Sequence, residues 1–564
     1  MPEKLYPVLE RRRLLRDGLR VSAALGGAAF LAACGPAAAV RKGASSTSSS
    51  SAPSAAAATF RLGADILPSQ LSNFNPFQKT GNWSQIFDYL YDTLLYFSPV
   101  DGKLLHRLAT GYSWNPAATR LSVTLHPGAR WQDGTPLTAA DVVYTFKVLK
   151  DDPALDTYAL WQSIEAVTAS GAGGVVFSTK KPFPSLPAYL STVYIVPEHI
   201  WSAQNPANFL NNPPTVGSGP FAFDHYTPGT DILLRANPRY FLGGPRVAYL
   251  DILMYANAPA ASLAMLRGNI ETPGGGIAMP SLPQMLKMPG VKYQLYTNLA
   301  NFVLYMNNGH PALGDRLVRR AIAATIDHTA LIAADQGAAF AGNPGWLPKA
   351  FGAACDRALI TDSRYAFNPK GAPAMLAQAG YKKGSDGKLA GPDGKPVRLT
   401  YYAPASAPAQ DKMASIIQQG IAALGVTVTP RFVTGPELTT VLRSGQYDLV
   451  QAAASFPPDP QAALFAYFSS DESAPEGQNT VGLNYARYRN PQLDALLARS
   501  ATTVDTQQRN KLFFSAQQLI AHEAPVAVLY EGAGHIPYST AKFTGYRTDV
   551  PVDSAFSLMA VRPV

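Results

Sequence analysis

The sequence has little cysteine and little histidine. It contains two cysteines, Cys34 and Cys355, and eight histidines among 564 residues. Two cysteines cannot build the disulfide framework that supports small secreted domains, and Cys355 is expected to be a small core residue rather than a nucleophile. The histidines are scattered and no cluster of cysteines accompanies them, which argues against a built-in metal site. We therefore expect no metal and no cofactor.

Charge is also sparse and shows no strong bias. Charged residues make up 15% of the chain, the formal net charge is +9, and no block of five or more like charges occurs. Residues 1–33 contribute six positive and three negative side chains, which leaves the remainder near +6. Such a mild excess is typical of a solvated surface and argues against a nucleic-acid partner.

Long hydrophobic runs are absent after residue 33. The one early run, residues 21–33, is too short to span a bilayer as a helix, and it follows five arginines between residues 11 and 20. It ends in Leu-Ala-Ala-Cys at residues 31–34. This arrangement resembles a bacterial lipoprotein signal peptide over residues 1–33, with Cys34 as the lipidated residue. The alternative is a simple secretory signal with a chance cysteine, and the arginines leave Sec and twin-arginine export both open.

A segment of low complexity follows the predicted signal. Residues 34–58 are almost wholly Ala, Ser, Pro, Gly and Thr. Such a segment cannot bury enough apolar surface to offset the entropy of ordering it, so the composition predicts a flexible tether. We expect the folded part to begin at Thr59.

The rest of the chain alternates short strands with amphipathic helices. Hydrophobic residues make up 47% of the sequence and aromatic residues 10%, as in a globular protein. The apolar spacing predicts strands at 397–401 and 526–530, and helices from Asp315, over 413–424 and over 491–522 in two pieces. Gly425 and Pro525 are expected to end two of the helices. This alternation indicates α/β lobes, and some 500 residues are enough for three or so domains, at about 150 residues each.

Several short motifs follow one another in a fixed order. Residues 133–142 read Asp-Gly-Thr-Pro-Leu-Thr-Ala-Ala-Asp-Val, in which Thr138 is expected to cap a helix and Asp141 to complete a capping box. Residues 315–322 read Asp-Arg-Leu-Val-Arg-Arg-Ala-Ile. Further motifs lie at 217–221, 304–308, 326–328, 370–381, 386–388 and 393–395. Together they resemble the extracellular solute-binding proteins of family 5, the peptide and nickel branch of ABC-importer binding proteins.

The resemblance implies a fold and a partner. It implies a two-lobed α/β fold like the type II periplasmic binding proteins, with an extra subdomain and a ligand cleft between the lobes. The expected parts are lobe I at 59–97, 213–299 and 526–564, a subdomain at 98–212, and lobe II at 300–525. The expected partners are a peptide or similar solute, an ABC permease with its ATPase subunits, and a membrane through the lipid anchor. The protein is expected to be a monomer in the periplasm or on the outer cell surface.

Peptide-binding members of that family resemble Trp-x-x-Asp-x-x-Asp-Pro at a stretch where the first Asp pairs with the peptide ammonium. Here the stretch from Ser455 to Pro460 reads Ser-Phe-Pro-Pro-Asp-Pro. In one register Phe456 replaces the anchoring carboxylate, and the ligand is then expected to be uncharged or N-blocked. In the other register Asp459 is the anchor. A third interpretation makes Asp459 a turn cap before proline.

Six further residues are candidates for the ligand site. The resemblance places them near the cleft, on a loop after the first strand, on the first strand of the second lobe, on the loop bordering the ligand and at the start of the shortened motif. They are Phe74, Asn75, Tyr305, Asn307, Trp346 and Ser455.

Two functions from other classes compete with solute import. Ser178 and Ser539 each begin a Ser-x-x-Lys motif, and residues 79–81 read Lys-Thr-Gly, as in exported serine hydrolases and peptidoglycan-interacting enzymes. The order of these motifs is wrong, no Ser-Asp-Asn lies between them, and no Gly-x-Ser-x-Gly occurs. We therefore expect no enzyme. The other alternative is a ligand sensor without transport.

Overall fold

The computed structural model describes residues 58–66, 71–78, 84–274, 276–335, 337, 340–405 and 408–564. The chain divides into two units, Met1–Ser54 and Ala55–Val564, and all described residues lie in the second. The predicted signal peptide, Cys34 and nearly all of the tether lie outside the described residues. Within the described part of the chain, no helix is both long enough and apolar enough to cross a membrane.

The strands follow one another along the whole described chain. They are β1 (Thr59–Ala64), β2 (Leu95–Phe97), β3 (Leu104–His106), β4 (Ala109–Trp114), β5 (Arg120–Leu125), β6 (Ile164–Ala169), β7 (Gly174–Thr179), β8 (Phe221–Thr227), β9 (Asp231–Ala236), β10 (Tyr249–Met254), β11 (Thr272–Gly274), β12 (Val291–Met306), β13 (Phe340–Ala341), β14 (Lys382–Lys383), β15 (Leu389–Ala390), β16 (Arg398–Pro404), β17 (Thr427–Val433), β18 (Leu449–Ser455), β19 (Val526–Ser539), β20 (Phe543–Thr544) and β21 (Arg562–Pro563).

Helices separate most of these strands. The α-helices are α1 (Gln85–Leu90), α2 (Ala139–Asp151), α3 (Leu186–Tyr189), α4 (Glu198–Trp201), α5 (Ala258–Leu266), α6 (Leu282–Met285), α7 (Arg316–Ala324), α8 (His328–Ala334), α9 (Ala372–Gln378), α10 (Pro408–Ala422), α11 (Gly435–Ser444), α12 (Pro460–Phe468), α13 (Pro491–Thr502), α14 (Thr506–Glu523) and α15 (Ala555–Leu558). Short 3-10 helices lie at Leu160–Gln162, Met279–Ser281, Lys349–Ala354, Arg357–Thr361, Ser363–Tyr365 and Ser470–Glu472.

Two sheets form the part of the molecule that we call the first lobe. One has the strand order β11-β1-β10-β9-β8, with β1 parallel to both of its neighbours. The other has the order β4-β5-β7-β6 and is antiparallel throughout. In β5, exposed and buried residues alternate, as expected for a sheet with one face on a core. The ring of Phe146 on α2 packs 4.9 Å from that of Phe177 on β7, so α2 covers the buried face.

A capping box starts α2 as the sequence predicts. Thr138 Oγ1 accepts a hydrogen bond from the backbone N–H of Ala140 at 3.2 Å. The carboxylate of Asp141 in turn accepts from the backbone N–H of Thr138 at 2.8 Å. Amides at the start of the helix are thereby satisfied.

A six-stranded sheet with the order β13-β19-β12-β18-β16-β17 forms the second lobe. Side chains that follow one another along a strand point to opposite faces, and both faces of this sheet are buried. In β12, Leu304 and Met306 belong to one core, while Val303 and Tyr305 belong to the other. The sheet therefore separates two cores.

The predicted helices and strands of the second lobe are confirmed. Asp315 caps α7 by accepting from the backbone N–H of Leu317 at 2.7 Å. The strand and the helix predicted before Gly425 are β16 and α10, and β17 follows them parallel to β16. Gly425 has a φ of +92°, which suits glycine at the end of a helix. The two predicted helix pieces after residue 490 are α13 and α14, and β19 follows them.

Two long strands, β12 and β19, connect the lobes and pair with each other antiparallel. Asn301 to Tyr305 pair with residues 526–531 inside the second sheet. Val291 to Thr297 pair with residues 533–539, where Thr272 of β11 donates a hydrogen bond to the carbonyl of Pro537 at 3.0 Å. The ladder shifts register between Thr297 and Asn301. We propose that the chain crosses between lobes at this irregularity.

One expected boundary differs from this pairing. From the sequence, lobe II is expected to end at Pro525 and the whole segment 526–564 to return to lobe I. In the structure, Val526 to Glu531 pair within the second sheet, and only the later residues lie against the first lobe. Phe543, Leu558 and Val561 belong to the core of the first lobe. The boundary differs because β19 is long enough to pair within the second sheet at its start and to lie against the first lobe at its end.

Contacts between the lobes also occur away from the crossing strands. Gly102, between β2 and β3, lies so close to Gly352 that a Cβ on Gly102 would be 2.5 Å from the backbone nitrogen of Gly352. Arg509 on α14 donates a hydrogen bond to the hydroxyl of Ser185 beside α3 at 2.7 Å. The first contact requires a residue without a side chain.

A buried glutamate lies where β19 leaves the second sheet. The side chain of Glu531 is 0% exposed, its Oε2 accepts from the backbone N–H of Lys349 at 3.2 Å, and its Oε1 has no hydrogen-bond partner among the described residues. Burial raises the pKa of this carboxyl to about 7, although the Lys349 charge opposes the rise. The ionised form is therefore costly in the folded state.

We expect Glu531 to make stability fall as the pH rises. An unfolded glutamate ionises near its usual pKa of 4.5, while the folded one holds its proton to about 7, so the free energy of unfolding falls between those values. The loss should reach about 3 kcal/mol, from the free energy per unit of pKa shift. Glu531→Gln should equal wild type at pH 4.5 and exceed it at pH 8 in urea unfolding. Glu437→Gln, at an exposed position of α11, is the control. A difference that does not change with pH would contradict this account.

Candidate functional site

A cavity of about 1000 Å³ lies between the lobes. Its walls come from α1, β2 and residues 191–194 of the first lobe and from the end of β18 in the second lobe. The crossing strands β12 and β19 contribute residues 296–302 and 530–536. Because both lobes supply wall residues, a molecule in this cavity contacts both.

Aromatic side chains make up much of the wall. The rings of Phe302 and Tyr530 are stacked, with centroids 4.5 Å apart and planes at 19°. The other aromatic lining residues are Tyr96, Phe97, Tyr158, Tyr194, Tyr296 and Phe456. Flat apolar walls of this kind suit ligands that bury hydrocarbon or ring surface, and the tyrosine hydroxyls add polar contacts.

The first-lobe end of the cavity holds a buried arginine between two carboxylates. Arg107 is 2% exposed, and its Nη1 and Nε donate to Asp88 at 2.5 Å and to Asp92 at 2.7 Å. Its Nη2 donates to the backbone carbonyls of Asp88 at 2.5 Å and Tyr91 at 2.8 Å. The hydroxyl of Tyr240 also donates to Asp92 at 2.7 Å. The charge of Arg107 is thus compensated within the protein.

A third carboxylate at the same end, that of Asp553, has no cationic partner among the described residues. Asp553 precedes α15, lines the cavity and is 7% exposed. Its Oδ2 accepts from the side-chain amide of Gln85 at 3.1 Å. Burial raises the pKa of the Asp553 carboxyl to about 6, and the negative charge of Asp88 adds to the rise.

Polar groups of the crossing segments face the cavity from the other side. His535 accepts or donates through Nδ1 with the hydroxyl of Tyr293, and its Nε2 lies 2.6 Å from the carbonyl of Gly337. The Oδ1 atom of Asn298 is buried and has no hydrogen-bond partner among the described residues. Asp335 also lines the cavity. These groups can orient a ligand at the point where the lobes join.

Two of the candidate residues, Ser455 and Phe456, line the cavity. Phe456 is 7% exposed and packs edge-on against Trp346, at 5.4 Å between ring centroids. Trp346 itself is fully buried, and its Nε1 donates to the carbonyl of Ala463 at 3.0 Å. Trp346 therefore lies one layer behind the wall. A binding role for Ser455 and Phe456 stays a prediction.

Tyr305 and Asn307 lie in the second lobe away from the cavity wall. The ring of Tyr305 packs edge-on against that of Tyr485 at 5.6 Å. The side-chain amide of Asn307 donates to the carbonyls of Gly445 at 3.0 Å and Tyr447 at 2.9 Å. Both side chains hold neighbouring segments together.

Phe74 and Asn75 also lie outside the cavity wall. The side-chain amide of Asn75 donates to the carbonyls of Pro206 at 2.8 Å and Phe209 at 2.6 Å. Phe74 packs edge-on against Phe223. The expectation that these two residues meet a ligand differs from the structure because their loop is turned into the core of the first lobe.

Asp459 also differs from the expectation that it faces the cleft. It is 1% exposed and caps α12, where its Oδ2 accepts from the backbone N–H of Ala462 at 3.0 Å. Its Oδ1 accepts from Arg509 at 3.2 Å. This geometry agrees with the turn-cap interpretation, because the carboxylate is used by the helix amide and the arginine.

The charged residues at the first-lobe end were missed from the sequence. Asp88 could have been noticed in the sequence, because this charged residue interrupts an apolar run formed by Ile86, Phe87, Tyr89 and Leu90. Asp553 carried no such signal, because it is remote from Asp88 in sequence and comes near it only through the fold. Among the described residues, no group of three or more His, Cys, Asp or Glu could hold a metal ion.

The chain matches known proteins over most of its length. A family model described as bacterial extracellular solute-binding proteins, family 5 (middle), matches residues 103–475. The oligopeptide-binding protein AppA of Bacillus subtilis is 26% identical over 425 residues, which cover 73% of this chain and 76% of AppA.

Solved structures share the fold. A periplasmic oligopeptide-binding protein of an ABC transporter from Thermotoga maritima superposes with a TM-score of 0.77 at 22% identity, covering 91% of this chain and all of that one. AppA of B. subtilis in complex with a nonapeptide gives a TM-score of 0.66 at 22% identity, covering 90% and 99%. Both support the two-lobed α/β architecture.

We expect Asp459 to act on stability rather than on ligand binding. Asp459→Asn keeps a good helix cap but removes the charge that Arg509 pairs with, so the free energy of unfolding should fall by about 2 kcal/mol, as for a lost hydrogen bond to a charged group. Asp505→Asn at the exposed cap of α14 should change it by less than about 0.5 kcal/mol. Urea unfolding measures both.

An anchoring role for Asp459 would give the opposite result. Calorimetry would then show that Asp459→Asn loses the binding of free peptides, while the unfolding curve stays that of wild type.

Proposed function

The chain belongs to the bacterial extracellular solute-binding proteins of family 5, and on that premise we propose that it captures a peptide or similarly sized solute for an ABC importer. In this proposal the solute is enclosed between the lobes and delivered to the membrane permease. Hydrolysis of ATP belongs to the partner subunits. The relatives named above are described as oligopeptide-binding proteins, which supports a peptide as the solute.

The observation that carries the proposal is the cavity between the lobes. Its volume of about 1000 Å³ lies at the upper end of the usual range for small-molecule sites, about 300–1000 Å³. Its walls come from both lobes and from the crossing strands. A solute that contacts both lobes has a higher affinity for the closed arrangement than for an open one, so its binding favours closure.

The proposal treats the protein as a binding component rather than an enzyme. The relatives are binding proteins by name. Ser178, which begins one of the hydrolase-like motifs, lies on β7 in the four-stranded sheet and does not line the cavity. A bound solute should therefore leave the protein chemically unchanged.

We further propose that Cys34 attaches the protein to a membrane surface through lipid. The residue lies outside the described residues, and the support comes from the Leu-Ala-Ala-Cys sequence followed by the Ala/Ser segment. Stable anchoring needs two or more acyl chains, because a single chain binds only marginally.

A fatty-acid probe tests the anchor. Metabolic labelling should tag the wild-type protein and leave Cys34→Ala unlabelled, while Cys355→Ala should be labelled like wild type. Equal labelling of Cys34→Ala would refute lipidation at this residue.

The contact between Gly102 and Gly352 gives a test of the proposed function. The full chain, purified without denaturant, should retain a solute that mass spectrometry finds intact. Gly102→Ala should retain at least tenfold less, because its Cβ would hold the lobes apart. Gly128→Ala is the matched control, since both glycines have similar positive φ values, +73° and +76°, but Gly128 has open space around it. A wild-type protein that retains no solute, or that releases it cleaved, would contradict the proposed function.

A further inference from the structure

The first-lobe end of the cavity has more buried negative charge than positive charge. The carboxylates of Asp88 and Asp92 pair with one guanidinium, that of Arg107, and a third carboxylate, that of Asp553, is close enough to Asp88 for the charge of Asp88 to raise its pKa. Arg107 pairs with Asp88 and Asp92, which leaves Asp553 without a cation. No lysine, arginine or histidine of the described chain forms an ion pair with Asp553.

The position of Asp553 makes this imbalance relevant to a ligand. Its side chain is 7% exposed and faces the cavity, and its identified side-chain partner is the neutral amide of Gln85 at 3.1 Å. An ionised carboxylate buried without a cation is unfavourable, because the low dielectric of the surroundings penalises the charge. A cation supplied by the cavity contents would remove that penalty.

Three tyrosines that line the cavity feel the charge of these carboxylates. Tyr96, Tyr194 and Tyr296 all line it, and the charges of Asp88 or Asp553 act on each of them. The face of a phenol ring attracts a cation through its quadrupole, as in the aromatic cages that bind ammonium groups. Carboxylates and aromatic faces at one place therefore favour the same class of chemical group.

We infer that this end of the cavity binds an organic cation, an ammonium or guanidinium group of the captured solute, with Asp553 as its counter-ion. The inference rests on the proposed function and adds the chemical class of the solute. It places the cation on the first lobe, whereas Phe456, which replaces the anchoring carboxylate in one register of the motif, lies on the second. The expectation of an uncharged solute followed from Phe456 alone and does not take Asp553 into account.

The affinity of the Asp553 carboxylate for a cation should decrease as the pH falls. Burial raises the pKa of Asp553 to about 6, and a bound cation favours the ionised form. The groups that face Asp553 are Gln85, Asp88 and Tyr89 of α1, Tyr96 of β2 and Tyr296 of β12. Burial raises the pKa of each of these tyrosines, so they stay neutral between pH 5 and 7. Affinity for a cation should therefore fall about tenfold from pH 7 to pH 5, following the ionised fraction of one carboxyl.

A mixed peptide library tests the inference on the full chain. The library contains random tetrapeptides without arginine or histidine that have free amines, and an equal amount of the same peptides with every amine acetylated, so that the second half carries no cation. After equilibrium dialysis at pH 7, mass spectrometry should find the free-amine half enriched at least tenfold on the wild-type protein. The enrichment should fall to about one with Asp553→Asn, which removes the charge but keeps the shape of the side chain.

Asp549→Asn is the matched control, because Asp549 is an exposed aspartate paired with Arg547 and does not line the cavity. It should behave like wild type. Should Asp553→Asn fail to fold, the wild-type enrichment at pH 7 and pH 5 decides the question without a variant.

The outcomes separate this inference from the proposed function. Equal retention of both halves of the library by wild type, or enrichment that survives Asp553→Asn or does not change with pH, would overturn the cation site and leave the proposed function standing. Retention of neither half by wild type would overturn the proposed peptide-sized solute, and with it this inference.

Discussion

The hydrogen-bonded pairing of β12 with β19 is the constraint on which the rest of the structure depends. These are the longest strands among the described residues, and they run from the edge of the first-lobe sheet into the middle of the second. Their ladder is interrupted between Thr297 and Asn301, and the residues beside the interruption line the cavity. The cavity therefore lies where the backbone passes from one lobe to the other, so that a change in the angle between the lobes alters its walls.

Some buried carboxylates of this protein are paired with an arginine, and one that faces the cavity is not. Asp459 and Arg509 satisfy each other beside a helix start, and Asp92 and Arg107 do so beneath the first-lobe wall. Such pairs compensate the cost of burial within the protein and support its structure. Among the described residues no cation pairs with Asp553, which faces the cavity, and the proposed cation of the solute would compensate its charge. The contrast between paired and unpaired carboxylates is what gives the cavity a chemical preference.

The depth of each candidate residue in the second lobe explains which of them line the cavity. Ser455 and Phe456 end a central strand of the second sheet and line the cavity, whereas Trp346 packs behind Phe456. Tyr305 lies four residues beyond Asn301 on β12, deep in the sheet and inside one of the two cores. A motif indicates where a residue lies along the chain, but not its distance from a surface. The sequence therefore did not predict which of the aromatic candidates reach the cavity wall.

The sequence by itself determined the local structure and the family. Apolar periodicity and capping residues such as Thr138 and Asp315 act over one or two helical turns, so the predicted helices and strands were confirmed. Only the tertiary structure decided where β19 leaves the second sheet and which charges share the cavity. Asp88 and Asp553 are separated by most of the chain, and their encounter depends on the return of the C-terminal segment to the first lobe. Electrostatic and packing interactions act through space, and no local pattern in the sequence records them.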